Sequence, residues 1–171
     1  MKKIILKNGL IGGLIVAAMM VFSTITFMRY PENFEPSMII GFAGMFLAFI
    51  FVFIGIKQFR DKINEGKLSF WEGLKIGLLI ALITSTVYVV VWMFEYNLFF
   101  PDFAEKYAEY IVKNAKPDEL AEITKSANDV KDIYKSQLQI FLYTYTEVLP
   151  IGIVFALISA LILKRKAAVQ A

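Results

Sequence analysis

Charge is missing from four long stretches of this chain, and no other feature narrows its fold so far. Between Lys7 and Arg29 the residues at 9–28 read GLIGGLIVAAMMVFSTITFM. Further uncharged runs extend from Ser37 to Ile56, from Ile76 to Phe94 and from Val148 to Leu163. A helix needs about 20 apolar residues to cross the ~30 Å hydrocarbon core of a bilayer, because each residue rises ~1.5 Å. The first three runs approach that length. The fourth is short at its apolar minimum, so its first turn is expected to include Thr144, Tyr145, Thr146 and Glu147. Spans are expected at about 9–28, 38–56, 73–95 and 146–163. The composition agrees: 58% of the 171 residues are hydrophobic and the mean hydropathy is +0.61. The fold class is therefore an all-α integral membrane protein with four transmembrane helices in a single membrane domain, residues 1–171.

Basic residues orient the spans. Lys2, Lys3 and Lys7 precede the first. Lys57, Arg60, Lys62, Lys67 and Lys75 fill the second connection, and Lys164, Arg165 and Lys166 follow the last. The first connection, RYPENFEPS, has one Arg and two Glu. Short loops rich in Lys and Arg stay in the cytoplasm, so both termini are expected there, in a multi-pass protein of the cytoplasmic membrane. The alternative for the N-terminus is a cleaved signal peptide with VFS at 21–23 as its cleavage site. The length of the run and the early Lys7 favour an uncleaved span. Ser69, three residues before Glu72 in LSFWEG, predicts a capping box that starts the third helix near Phe70.

The long connection at 97–137 then lies outside the cytoplasm. Phe103, Tyr107 and Ile111 recur at spacing four, predicting an amphipathic helix. Pro117 is expected to break it and to open a second helix in its first turn, with Asp118 and Glu119 at the positive helix end. That second helix carries Leu120, Ile123, Val130, Tyr134, Leu138 and Phe141 roughly on one side and is expected to run on into the fourth span. The pair makes an extracytoplasmic helical hairpin, read either as a cap over the span ends or as a surface for a partner. Acids outnumber lysines in it, which speaks against nucleic acid as a partner and against an electrostatic membrane patch.

Small residues recur every four positions: Gly9, Gly13 and Ala17; Gly73, Gly77, Ala81 and Ser85; Gly152, Ala156 and Ala160. Such stripes let helix backbones approach closely inside lipid. They suit packing within one bundle, or a homo-oligomer or membrane-protein partner. The lipid bilayer is the one partner the composition demands.

Chemistry is sparse. With no Cys and no His the chain has no thiolate nucleophile, imidazole base or Cys/His metal site. There is no G-x-S-x-G elbow. No enzymatic activity, cofactor or metal is expected. What remains is a polar cluster of Arg29, Glu95, Glu147 and Tyr143. Glu147 lies seventeen residues before Lys164, about 25 Å along a helix, and Glu95 lies twenty beyond Lys75, about 30 Å. Arg29 ends the first span at a similar level. These groups converge at the outer mouth, with Tyr88, Tyr96 and Tyr145 nearby. An intramembrane acid is a functional candidate by default, but at this shallow depth an ion pair with Arg29 is the weightier expectation. No acid lies near the midplane of any span.

The segments RD…G…LSFWEGLKIG at 60–77, YNLFFPDF at 96–103 and GIVFALISALILKRK at 152–166 resemble the DUF4199 family of small bacterial membrane proteins. The resemblance implies four membrane helices, an extracytoplasmic insertion before the last, and an inner membrane. It implies no catalytic residues. The functional expectation is a non-enzymatic accessory or interaction module, with a small oligomeric transporter or channel built on the outer polar cluster as the alternative.

Overall fold

The uncharged runs fold as long helices in a computed structural model of the protein, which describes residues 1–29 and 38–165. Six helices form among them: α1 (Lys2–Arg29), α2 (Met38–Lys62), α3 (Phe70–Phe99), α4 (Phe103–Lys113), α5 (Leu120–Ile133) and α6 (Gln137–Leu163). Of these, α1, α2, α3 and α6 are each long and apolar enough to cross a membrane. The acids of the first connection and Lys166 lie outside the described residues.

The helices run past the expected apolar spans. The first begins at Lys2 and the last at Gln137. Charged or polar ends do not stop a helix whose long side chains reach toward water. The capping box forms as expected: Ser69 Oγ accepts from the Glu72 N–H at 3.2 Å, and the Ser69 N–H donates to Glu72 Oε2 at 3.2 Å.

Three glycine-lined seams close the bundle. Along α3 and α6 the small residues pair in antiparallel register, Gly73 with Ala160, Gly77 with Ala156 and Ala81 with Gly152. A Cβ added to Gly77 would lie 2.8 Å from the Ala156 Cβ, closer than real side chains come. Gly9 and Gly13 of α1 take Ile83 and Val87 of the parallel α3, and the Thr84 hydroxyl donates to the Gly9 carbonyl at 3.1 Å. Gly12 and Gly44 bring α1 and α2 together in antiparallel sense. The central helix is α3, which packs against α1, α2 and α6. Phe49, Val52 and Ile56 of α2, Ile76 and Ile80 of α3, and Val148 of α6 fill the core. Large apolar side chains such as Leu14, Phe22, Phe46 and Ile162 remain on the outside of the bundle, where a lipid surface accepts them.

At the end where α1, α3 and α6 carry basic flanks, the α2–α3 connection is tied to the end of α6. Leu68 and Arg165 exchange two backbone hydrogen bonds, 3.0 and 2.8 Å.

The α4–α5 pair sits at the opposite end. Two expectations about it are corrected. The second helix starts at Leu120 and not at Pro117. Residues 117–119 form a turn instead, closed by the Glu119 N–H on the Lys116 carbonyl at 3.0 Å. Nor does that helix run into α6, because Ser136 is extended (φ −130°, ψ 124°) and caps a new helix. The break places Tyr134 against the end of α3, as described next.

Candidate functional site

The α4–α5 pair is fastened to the spans by aromatic rings. Amphipathic spacing puts Phe103 and Tyr107 on the inner face of α4, where their rings stack with centroids 5.8 Å apart. Phe103 meets Trp92 of α3 edge-on at 4.9 Å and Tyr134 at 5.5 Å. Tyr134 also meets Tyr96 at 5.1 Å. Trp92 Nε1 donates to the Tyr134 hydroxyl at 3.2 Å, and the Tyr96 hydroxyl donates to the Tyr134 carbonyl at 3.4 Å. Edge-to-face pairs of this kind add about 0.5–1.5 kcal/mol each beyond the area they bury. Asn97 and Gln137 exchange amide hydrogen bonds beside them, 3.2 and 2.9 Å. On the other flank Phe27 of α1 packs edge-on to Phe100 at 5.2 Å, and Lys106 Nζ lies 5.9 Å over the Phe27 ring.

Glu147 lies beneath this cluster, on α6. Tyr143 lies one turn earlier on the same helix. Burial, and then the Glu147 charge, pushes the Tyr107 phenol up from its ordinary value. Tyr134 is pushed up as well, chiefly by burial, against a lowering by the Trp92 hydrogen bond. Both phenols therefore stay neutral donors at physiological pH. Glu147 is nonetheless exposed on the side of the bundle. Many protein atoms surround it, but its accessible surface opens sideways. Pro150, which has no N–H to give, leaves the Thr146 carbonyl without its helical donor next to it.

The other expected members are placed differently. Glu95 of α3 is buried, 5% exposed. Its Oε1 has no partner among the described residues. Arg29 is exposed at the end of α1 and forms no ion pair among the described residues. The structure thus sets Tyr143 and Glu147 one turn apart on α6, buries Glu95 on α3, and leaves Arg29 without a carboxylate among the described residues. No group of three His, Cys, Asp or Glu side chains suited to a metal forms among the described residues.

Sequence reasoning missed two features. Tyr107 and Tyr134 were visible only as the apolar stripe of the outer helices, and spacing does not say which span they meet. Asn8, 1% exposed, donates from Nδ2 to Gln58 Oε1 of α2 at 3.1 Å and to the Ile4 carbonyl at 2.8 Å. Its position between Lys7 and Gly9 reads as a helix flank, whereas the helix already starts at Lys2. Above the aromatic cluster a cleft of about 390 Å³ opens between Tyr96, Tyr134, Glu105, Asn128 and Lys131.

The family model described as "Protein of unknown function (DUF4199)" matches residues 7–165, and the chain belongs to that family. No curated protein and no solved structure matches it.

Proposed function

We propose that this protein is a non-enzymatic module of the cytoplasmic membrane that holds α4–α5 as a fixed outer surface for another membrane protein. The observation that carries this reading is the aromatic cluster. It docks one face of the pair on α3 through Trp92, Tyr96, Phe103 and Tyr134 and leaves the opposite face charged and exposed, with Glu109, Lys113, Glu122, Lys125 and Asp129. A pair serving only to cover the span ends has no need of a rigid mount. The Lys and Arg flanks support a surface on the outer side with both termini inside. The lack of Cys and His, and of any nucleophile–base pair in the sequence, supports a non-catalytic role.

The test is photocrosslinking in intact cells from probes at Glu109, Glu122, Lys125 and Asp129, with a probe at lipid-facing Leu14 as control. The expected result is one discrete protein adduct shared by the four surface probes and absent from the control. Adducts no different from the control overturn the reading.

A second reading is favoured by one observation. Glu95 is buried with an oxygen unpartnered, which suits a small oligomeric transporter or channel with a cation or proton at its mouth. Proton or cation flux in proteoliposomes, abolished by Glu95→Gln, supports it. Absence of flux in a monomeric preparation ends it.

A further inference from the structure

We infer that the cleft between α4 and α5 is a binding site for a small zwitterion of the free α-amino acid class. The inference does not rest on the partner surface, which is read from other residues.

The cleft holds about 390 Å³, at the small end of the ~300–1,000 Å³ usual for ligand sites. Three helices and a turn build it: Tyr96 comes from α3, Glu105 from α4, Asn128 and Lys131 from α5, and Tyr134 from the turn after α5. Its aromatic wall is fixed. The Tyr96 and Tyr134 rings meet edge-on at 5.1 Å, and the Tyr96 hydroxyl donates to the Tyr134 carbonyl at 3.4 Å. Trp92 Nε1 holds the Tyr134 hydroxyl at 3.2 Å. The two helical walls are held as well, because α4 packs on α5, with Ala104, Ala108, Ala127 and Val130 buried. A ligand entering such a cleft has little protein left to order, which favours binding.

Four charged side chains line the cleft, and they are not equivalent. Asp132 and Lys135 neutralise each other, Oδ1 to Nζ at 2.6 Å. Glu105 on α4 and Lys131 on α5 are left over. Neither forms an ion pair among the described residues, with the other or with a third group. An unpaired carboxylate on one wall and an unpaired ammonium on the other suit a ligand that carries both charges. The α-ammonium of an amino acid answers Glu105, and its α-carboxylate answers Lys131 through charge-assisted hydrogen bonds. The Asn128 amide can both donate and accept beside them. The tyrosine rings accept an ammonium or an apolar side chain. A simple anion is opposed by Glu105, and a metal ion by Lys131. Ala104 is the one aliphatic residue in the lining, so the cleft offers no bed for an acyl chain, and a soluble zwitterion fits it better than a lipid headgroup.

The test uses the full-length wild-type protein in a non-ionic detergent, dialysed to equilibrium against a mixture of the proteinogenic L-amino acids. Those enriched on the protein side are identified by mass spectrometry. At least one is expected to be enriched saturably. Its amide keeps only the positive charge and its N-acetyl derivative only the negative one. Each is expected to bind at least about tenfold more weakly, since each loses one charge-assisted contact. Glu105→Gln is expected to weaken the amino acid by a similar factor and leave the N-acetyl derivative unchanged. Lys131→Gln is expected to weaken the amino acid and leave the amide unchanged. Glu105 is exposed and Lys131 half-buried, so neither substitution disturbs the packing between the helices. No enrichment of any amino acid, equal binding of either derivative, or unchanged binding in both variants overturns the site. Glycerophosphoethanolamine, the soluble headgroup of a zwitterionic lipid, serves as competitor: displacement of the amino acid at equal concentration overturns the amino-acid assignment. These measurements need neither orientation nor partner, so their failure leaves the crosslinking result standing, and the reverse.

Discussion

The side chain at position 147 is exposed and has no counter-ion among the described residues. Glu147→Gln is therefore expected to shift stability in detergent at pH 7 by less than about 0.5 kcal/mol. Arg29 is exposed and forms no ion pair among the described residues, so Arg29→Ala is expected to stay within about 0.5 kcal/mol. Thermal melts of both variants check this, and a loss of several kcal/mol in both would restore the ion pair. Glu95 and Glu147 were visible in the sequence as acids inside apolar runs. Their partners were not, because depth along a helix is counted in residues while direction around the axis depends on packing. Glu95 is buried in the bundle, whereas Glu147 is exposed on its side.

Among the elements, α3 carries the bundle, and its small residues were legible from spacing alone. Their partners emerge only from the antiparallel register with α6. Gly77→Leu drives side-chain atoms into Ala156 and Ile56 and is expected to cost at least the 1–3 kcal/mol typical of overpacking. Gly41, with open space around it, is the control: Gly41→Ala is expected to be neutral or to stabilise by up to about 1 kcal/mol through helix propensity. Melting temperatures of the two check the seam, and equal losses would refute it. The outer helices were legible as amphipathic, but their limits were not. A turn at 117–119 and the extended Ser136 replace the expected starts, because local hydrogen bonds and the docking of Tyr134 outweigh periodicity. The phenols of that dock titrate with a definite sign. Tyr107 and Tyr134 are raised in the fold, so above the unfolded tyrosine value of about 10 the unfolded chain loses protons first. Hydrogen exchange in α4–α5 is expected to accelerate between pH 10 and 11 before the spans loosen. Protection unchanged over that interval would mean that the phenols are not buried in the dock.

At the scale of the whole molecule, the four long helices followed from length and hydropathy, since lipid demands satisfied backbones. The orientation rests on Lys and Arg in the connections. The aromatic mount was the least legible, because it is assembled from residues far apart in sequence: Trp92, Phe103 and Tyr134 look like ordinary interface aromatics until α4–α5 folds back over α3. The proposed role as an outer surface requires the pair to lie outside the membrane and the basic α2–α3 connection inside. The chain has no cysteine, so single cysteines report cleanly. The most direct test introduces Lys125→Cys and, separately, Lys67→Cys and treats intact cells with a membrane-impermeant maleimide. Labelling is expected at 125 in intact cells and at 67 only after permeabilisation. Labelling at 67 in intact cells, or at both positions, would contradict it.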